Sequence, residues 1–307
     1  MNTITDINNY CPTPCAATIG SFDGIHLGHR ALLDELHEKA AEAGLPMTVI
    51  TFARHPRQLF KKECEPFLLS SNAEKAALFE ECGVDNLVIL DFDQDMAAMN
   101  AKEFMKEILA GKLAVKRLAI GYDHHFGRPQ GDEGIDDYIA YGKDLGIEVF
   151  QASRFVVEGE KVCSSTIRKA LAEGDTALAR KILGRDYTIR GTVVKGAGIG
   201  RQLGFPTANI EPDEPMKLVP QNGVYEVEIT LKGKKHEGVM NIGVKPTIAK
   251  DLQRTIEVHI LDFSGDIYGE KAQVKVIRRL RGELNFDNIN ALKFQIEVDV
   301  ARVRRKI

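Results

Sequence analysis

No segment of this chain is apolar over the length of a membrane span, and its start has no apolar run of the kind that opens a secretory leader. An excess of one charge is missing too. There are 41 Lys and Arg against 44 Asp and Glu, a net charge of -3 with a sequence pI near 6.3. Such a balance sets up no global field for nucleic acid or an anionic membrane. The basic run Arg302-Val303-Arg304-Arg305-Lys306 ends an amphipathic stretch, where cations suit a helix C-terminus. The cysteines (Cys11, Cys15, Cys64, Cys82, Cys163) form no C-x-x-C pair, which argues against both a zinc site and a disulfide framework. Internal repeats and low-complexity linkers are absent as well. These absences predict a cytoplasmic protein without a nucleic-acid or membrane partner, and they leave a homo-oligomer open.

What is present divides in two. At 307 residues the chain is long for one core, so two domains are expected. The front half alternates strand and helix. A short strand ends at Thr18-Ile19-Gly20, and Leu32, Leu33, Leu36 and Ala40 follow at helical spacing up to a stop at Gly44. Met47 to Phe52 reads as a buried strand, Asn72 and Lys75 to Cys82 as a capped helix, and Asn86 to Phe92 as another strand. Asn100 and Glu103 form a capping-box pattern, and Arg117 to Gly121 and Ile147 to Phe150 complete the series. This alternation predicts an α/β, doubly wound parallel sheet. After Gly184 the pattern changes. Val224 to Ile229, Ile256 to Ile260 and Val274 to Val276 repeat every two residues, which predicts a small antiparallel β-barrel. Leu292, Ile296, Val300 and Val303 then mark a closing helix. The expected domains are 1–184 and 185–307.

Two segments carry chemistry. The first, Gly20-Ser21-Phe22-Asp23-Gly24-Ile25-His26-Leu27-Gly28-His29, joins the first long strand to the first helix. Ligands of open parallel sheets bind at the carboxyl ends of strands, and a helix N-terminus offers N–H groups to phosphate. Gly24 and Gly28 permit close backbone approach. His26 and His29 are three apart, so both imidazoles face one side of the first turn, where they suit the charge that builds on a transferring phosphoryl group. The pattern G-x-x-x-x-G-K-[ST] is missing, which excludes a P-loop. The second segment places Gly196, Gly198 and Gly200 ahead of Leu203-Gly204-Phe205-Pro206-Thr207-Ala208-Asn209. Alternate glycines fit either a phosphate-binding concavity or a simple hairpin. Thr207 and Asn209 project two oxygens from one side of an extended segment, a hard donor pair that fits Mg2+ held together with nucleotide phosphates. Glu257 and His259 read equally as a polar strand face.

The Gly20–His29 run resembles the adenylyl- and cytidylyltransferase superfamily. Within it, the run is similar to the bifunctional bacterial riboflavin kinase and FAD synthetase family, with its pattern G-[NS]-F-D-G-x-H-x-G-H. Further matches follow in order. Thr51-Phe52 with His55-Pro56 resembles T-F-x-x-H-P, and Gly121, Asp123, Phe126 and Gly127 resemble G-x-D-x-x-F-G. Ser164-Ser165-Thr166-Ile167-Arg168 resembles a phosphate loop that opens a helix, with Cys163 where the first serine of that pattern belongs. The run ending L-G-F-P-T-A-N resembles riboflavin kinase, followed by Gly223-Val224-Tyr225, Asn241-Ile242-Gly243 and Glu257-Val258-His259.

The resemblance implies riboflavin phosphorylation to FMN by the rear domain and FMN adenylylation to FAD, with pyrophosphate release, by the front one. The substrates are then small molecules, with ATP used at both sites and Mg2+ as cofactor. It assigns catalysis to Glu257, as base toward the ribityl hydroxyl, and to His26, His29 and Arg168. Nucleotide or phosphate contacts fall to Gly20, Ser21, Phe22, Asp23, Gly24, Gly28, Ser164, Ser165, Thr166, Gly196, Gly198 and Gly200. Flavin contacts fall to Asp123, Phe126, Arg281 and Phe286, and metal contacts to Thr207 and Asn209. Two other readings stay open. One is a kinase whose front domain only binds or senses nucleotide or flavin. The other is a barrel that binds RNA, which lacks the interleaved aromatic and basic residues of such a groove.

Overall fold

A computed structural model describes residues 1–54, 66–122, 133–196, 198–245 and 253–305. The chain divides into two compact units, Met1–Glu65 with Ser70–Val162, and Pro66–Leu69 with Cys163–Ile307.

The first unit is built on a six-stranded parallel sheet of β1 (Asn2–Ile4), β2 (Cys15–Ile19), β3 (Met47–Phe52), β4 (Asn86–Leu90), β5 (Val115–Ile120) and β6 (Glu148–Gln151), in the order β1-β4-β3-β2-β5-β6. Alternate residues of each inner strand feed two separate cores. Ala17, Ile19, Ile50 and Phe52 enter one face, and Ala16, Met47 and Val49 the other. Burial on both faces explains why these strands read as continuous apolar runs. Strand order reverses between β2 and β5, so the carboxyl end of β2 is the switch point where such sheets open a ligand crevice.

Local signals set the helices. Helix α1 (Leu27–Ala43) buries Leu32, Leu33, Leu36 and Ala40 and stops at Gly44, whose φ of 64° is left-handed. Helix α2 (Asn72–Glu81) is capped one residue earlier than its sequence suggests, because Ser71 rather than Asn72 closes the box with Glu74. Helix α3 (Gln94–Ala98) is short, and the Asn100–Glu103 box opens α4 (Ala101–Phe104), which widens into a π-helix over Met105–Lys112. Helix α5 (Ile135–Leu145) and the hairpin β7 (Val156–Val157) and β8 (Glu160–Lys161) complete the unit.

In the second unit, α6 (Ser164–Glu173) and α7 (Thr176–Leu183) lead to β9 (Tyr187–Val194), the one-turn helix α8 (Ile199–Gln202) and β10 (Thr207–Pro212). Then come β11 (Gly223–Leu231), β12 (Lys234–Lys245), β13 (Gln253–Ile260) and β14 (Lys271–Arg281), and the barrel closes in the order β10-β13-β12-β11-β14-β9. Its inward positions are apolar, with Tyr225, Val227, Ile229, Met240, Val258 and Val274 all buried. Helix α9 (Ile289–Arg305) lays Val300 and Val303 against Val224, Val239, Leu261 and Leu280 on the outside. The expected architecture, a parallel α/β sheet followed by a small antiparallel barrel with a terminal helix, is what forms.

Candidate active sites

The front site grows from the turn between β2 and α1. Phe22, Gly24 and Ile25 all have positive φ, at 47°, 88° and 37°. For the two residues with side chains this strain costs about 1–3 kcal/mol each. Burial offsets it, because Phe22 and Ile25 are locked in the core beneath α1. Gly24 donates its N–H to Ser70 Oγ at 2.9 Å, and Ser70 returns its own N–H to Asp23 Oδ1 at 3.0 Å. The side chains of Phe22 and Asp23 therefore point into the domain and shape the turn.

His26 is the N-cap of α1, and its Nδ1 accepts the His29 N–H at 3.2 Å. A ring nitrogen that accepts carries no proton, so neutral His26 is the Nε2–H tautomer, with a donor on the opposite edge. The two imidazoles stack with centroids 3.7 Å apart and planes 13° from parallel, and Phe22 meets His29 edge-on at 5.1 Å. A Cβ on Gly28 would press on His26 Nδ1 at 3.3 Å, so a residue without one lets the pair close. Gly20 and Ser21 connect β2 to this turn. The Ser21 carbonyl accepts from Thr51 Oγ1 at 3.4 Å and from Lys75 Nζ at 3.3 Å.

The serine segment opens α6, as its pattern predicts, with Cys163 at the N-cap. Cys163 gives the helix no side-chain capping bond, and its Sγ lies 3.2 Å from Thr166 Oγ1. Arg168 turns its Nε to the Phe67 carbonyl at 2.9 Å and lies over the Phe67 ring. Ser164 and Ser165 are in the first turn, which holds no acidic residue. His55, Pro56, Asp123, Phe126 and Gly127 lie outside the described residues.

The rear site lies on the outer face of the barrel. Strand pairing aligns Thr207 with His259, Asn209 with Glu257, and Glu257 in turn with Asn241. The polar residues of three strands thus form one patch opposite the apolar interior. Thr207 Oγ1 donates to Glu257 Oε2 at 3.2 Å, and His259 Nδ1 meets the Pro206 carbonyl at 2.9 Å. The glycine segment folds over this patch as the single turn α8 rather than a plain hairpin. Gly198 takes φ 72°, Gly200 leaves no room for a Cβ beside the Phe205 carbonyl, and a Cβ on Gly196 would fall 2.1 Å from Asn209 Nδ2. Hydroxyl, amide and carboxylate oxygens meet here on rigid strands, a donor chemistry that fits a hard cation sharing its shell with phosphate and water.

Arg281 is engaged inside the protein. It pairs with Asp299 of α9 at 2.8 Å, with side chains 15% and 2% exposed, and its Nη1 donates to the Gly282 carbonyl. Its guanidinium carbon lies 6.0 Å from the centre of the Phe286 ring, so these two residues do come together.

Two features were not read from the sequence. A cleft of about 470 Å3 opens beside Thr207, lined by Arg201, Pro206, Phe263, Asp266 and Tyr268 among others. Its far wall is the β13–β14 connection, over 50 residues from Thr207, and only the aromatic pair around Gly265 hints at it. The other is Lys75, buried at the front turn. A lysine sharing a buried helix face with Phe79 was the available signal.

Comparison with known proteins agrees with this division. A family model described as FAD synthetase matches residues 8–166, and one described as riboflavin kinase matches residues 183–307. A Pseudomonas fluorescens protein named bifunctional riboflavin kinase/FMN adenylyltransferase is 40% identical, covering 99% of this chain and 97% of its own. The protein of that name from Escherichia coli K12 is 38% identical with the same coverage. A crystal structure from Streptococcus pneumoniae, described as a macrolide-efflux protein, superposes with a TM-score of 0.87 at 30% identity over 98% of both chains. Among the described residues no helix is long and apolar enough to cross a membrane. With both catalytic halves matched and relatives aligned from end to end, the chain belongs to the bifunctional riboflavin kinase/FMN adenylyltransferase family.

Proposed function

We propose that the chain makes FMN from riboflavin and ATP in a domain at 185–307, and FAD from FMN and ATP in a domain at 1–184. The observation that carries this reading is the meeting of Thr207, Asn209 and Glu257 on neighbouring strands under the glycine turn. A carboxylate there takes the proton of the ribityl hydroxyl as its oxygen attacks the terminal phosphorus of ATP, and ADP leaves. Thr207 holds the carboxylate in place by its hydrogen bond. Thr207 and Asn209 are the residues that would hold Mg2+, which supplies neutralisation of phosphate charge when bound. The cleft beside Thr207 has the size and aromatic lining for the nucleoside part of ATP. Phe286, under Arg281, offers a flat apolar surface to the flavin ring, and Arg281 positions it while paired with Asp299.

At the front turn, a phosphate oxygen of FMN attacks the α-phosphorus of ATP and pyrophosphate departs. The Nε2–H edge of His26, with His29 stacked on it, meets the charge that develops on the phosphoryl oxygens. Backbone N–H groups at the start of α1 add fixed dipoles. The reaction is placed in the cytoplasm with small-molecule substrates only.

The test is purified protein with riboflavin, ATP and Mg2+, resolved by chromatography. FMN and FAD should both accumulate, and chelation of Mg2+ should stop both. FMN alone would reduce the front domain to a binding module.

A further inference from the structure

A buried lysine needs a reason, because an ammonium taken out of water is costly and a methionine would fill the same space. Lys75 is 7% exposed, on the inward face of α2. Its Nζ donates to the Ser21 carbonyl and to Thr51 Oγ1, each at 3.3 Å, and Thr51 Oγ1 donates in turn to that same carbonyl. The charge acting on it from the turn is Asp23, itself 2% exposed. On its own helix, Glu74 is drawn to the helix start, where it accepts the Ser71 N–H. Asp23 and Gly24 are also joined to Ser70, at the entry to α2. One cation thus links the end of β3, the start of α2 and the left-handed turn that delivers His26 and His29.

We infer that Lys75 is a positioning residue for nucleotidyl transfer, holding the Ser21–Gly24 turn to β3 and so fixing the histidine pair at the start of α1. The inference rests on the front-site reading. Lys75 acts through Ser21, Thr51 and Asp23. Losing it lets the turn relax, and catalytic donors displaced by an ångström lose about 100-fold in rate. Burial also lowers the Lys75 pKa to about 8, against the restraining charge of Asp23. Above that pH the cation is lost and the clamp weakens.

The experiment follows FAD formation from FMN, ATP and Mg2+ between pH 6 and 9.5 for wild type, Lys75→Met and Lys75→Arg. Riboflavin phosphorylation in the same preparations serves as control, with thermal unfolding to check folding. Lys75→Met should lower kcat for FAD about 100-fold, with KM for FMN and ATP within about threefold. Its FMN formation should equal wild type. Wild type should lose FAD-forming activity above about pH 8, whereas Lys75→Arg, whose charge is permanent, should show a flat profile there. Wild-type kcat in folded Lys75→Met would overturn the inference and leave the front-site reading intact. If Lys75→Met fails to fold, Lys75→Arg decides, and an alkaline loss equal to wild type overturns the inference. Wild type that makes no FAD at any pH overturns the front-site reading, and this inference with it.

Discussion

Thr207 and Glu257, fifty residues apart, meet at 3.2 Å because β10 and β13 pair with Thr207 opposite His259 and Asn209 opposite Glu257. The hydroxyl donates to one carboxylate oxygen and fixes its orientation, and a carboxylate held within reach of the substrate hydroxyl is what general-base catalysis needs. Glu257→Gln keeps the shape and removes the base. It should lower riboflavin phosphorylation by about 100- to 10,000-fold and leave FAD formation from added FMN unchanged. Equal loss of both activities in a folded variant would mean that the two sites are not independent.

How much of this was legible depended on distance along the chain. His26 and His29 sit in one ten-residue turn, and Thr207 and Asn209 in one strand, so their geometry follows from local backbone periodicity. Glu257 came within reach only through the E-x-H segment of the family, since strand register is not written in composition. Lys75 binds groups 24 and 54 residues away, and no local pattern encodes such contacts. The alternation in β11 and β13 announced a barrel, whereas closure depends on β9 pairing with β10 and on the polar start of β12. The family resemblance assigns Arg168 to phosphate and Arg281 to flavin, and only the fold shows the protein groups that hold them, the Phe67 carbonyl for Arg168 and Asp299 for Arg281.

The stacked histidines make a prediction specific to the front site. His29→Ala removes one imidazole but keeps the backbone N–H that caps onto His26. The helix start therefore survives while the proposed transition-state donor is lost. FAD formation should fall about 100- to 1,000-fold with FMN formation unchanged. A loss confined to KM would assign His29 to ground-state binding instead.

Gly196 tests the metal assignment from outside the donor set. A methyl there would sit 2.1 Å from Asn209 Nδ2 and 2.5 Å from its Cγ, so the amide must rotate away. In Gly196→Ala the Mg2+ concentration for half-maximal riboflavin phosphorylation should rise about 10- to 100-fold, the usual effect of disturbing a ligand's support. An unchanged Mg2+ titration would exclude Asn209 as a metal ligand.

Arg281 and Asp299 anchor α9 to β14 through a buried ion pair. Asp299→Asn leaves the guanidinium with the Gly282 carbonyl and partial access to water. The loss should be about 3 kcal/mol in urea unfolding of the barrel unit, at the lower end for a broken buried pair. Arg281→Met with Asp299→Leu, which removes both charges, should recover most of it. A single variant as stable as wild type would show that the pair contributes nothing to the docking of α9.

Lys75 sets stability and activity moving in opposite directions with pH. Burial lowers its pKa from 10.5 to about 8, with Asp23 opposing the shift. Below about pH 8 both folded and unfolded chains hold the proton, and the full penalty of burying the charge is present. Between about 8 and 10.5 the unfolded chain keeps a proton that the folded chain has released, so stability rises with pH across that window. The rise amounts to about 3 kcal/mol at most, from 1.4 kcal/mol per unit. Lys75→Met has no such group. The stability difference between wild type and Lys75→Met, from urea midpoints of the first unit at pH 7.5 and 10, should therefore shift toward wild type at the higher pH. FAD formation by wild type should decline over the same range. Parallel pH slopes for the two proteins would show that Lys75 holds its proton in the folded state, and the alkaline loss of activity would then need another group.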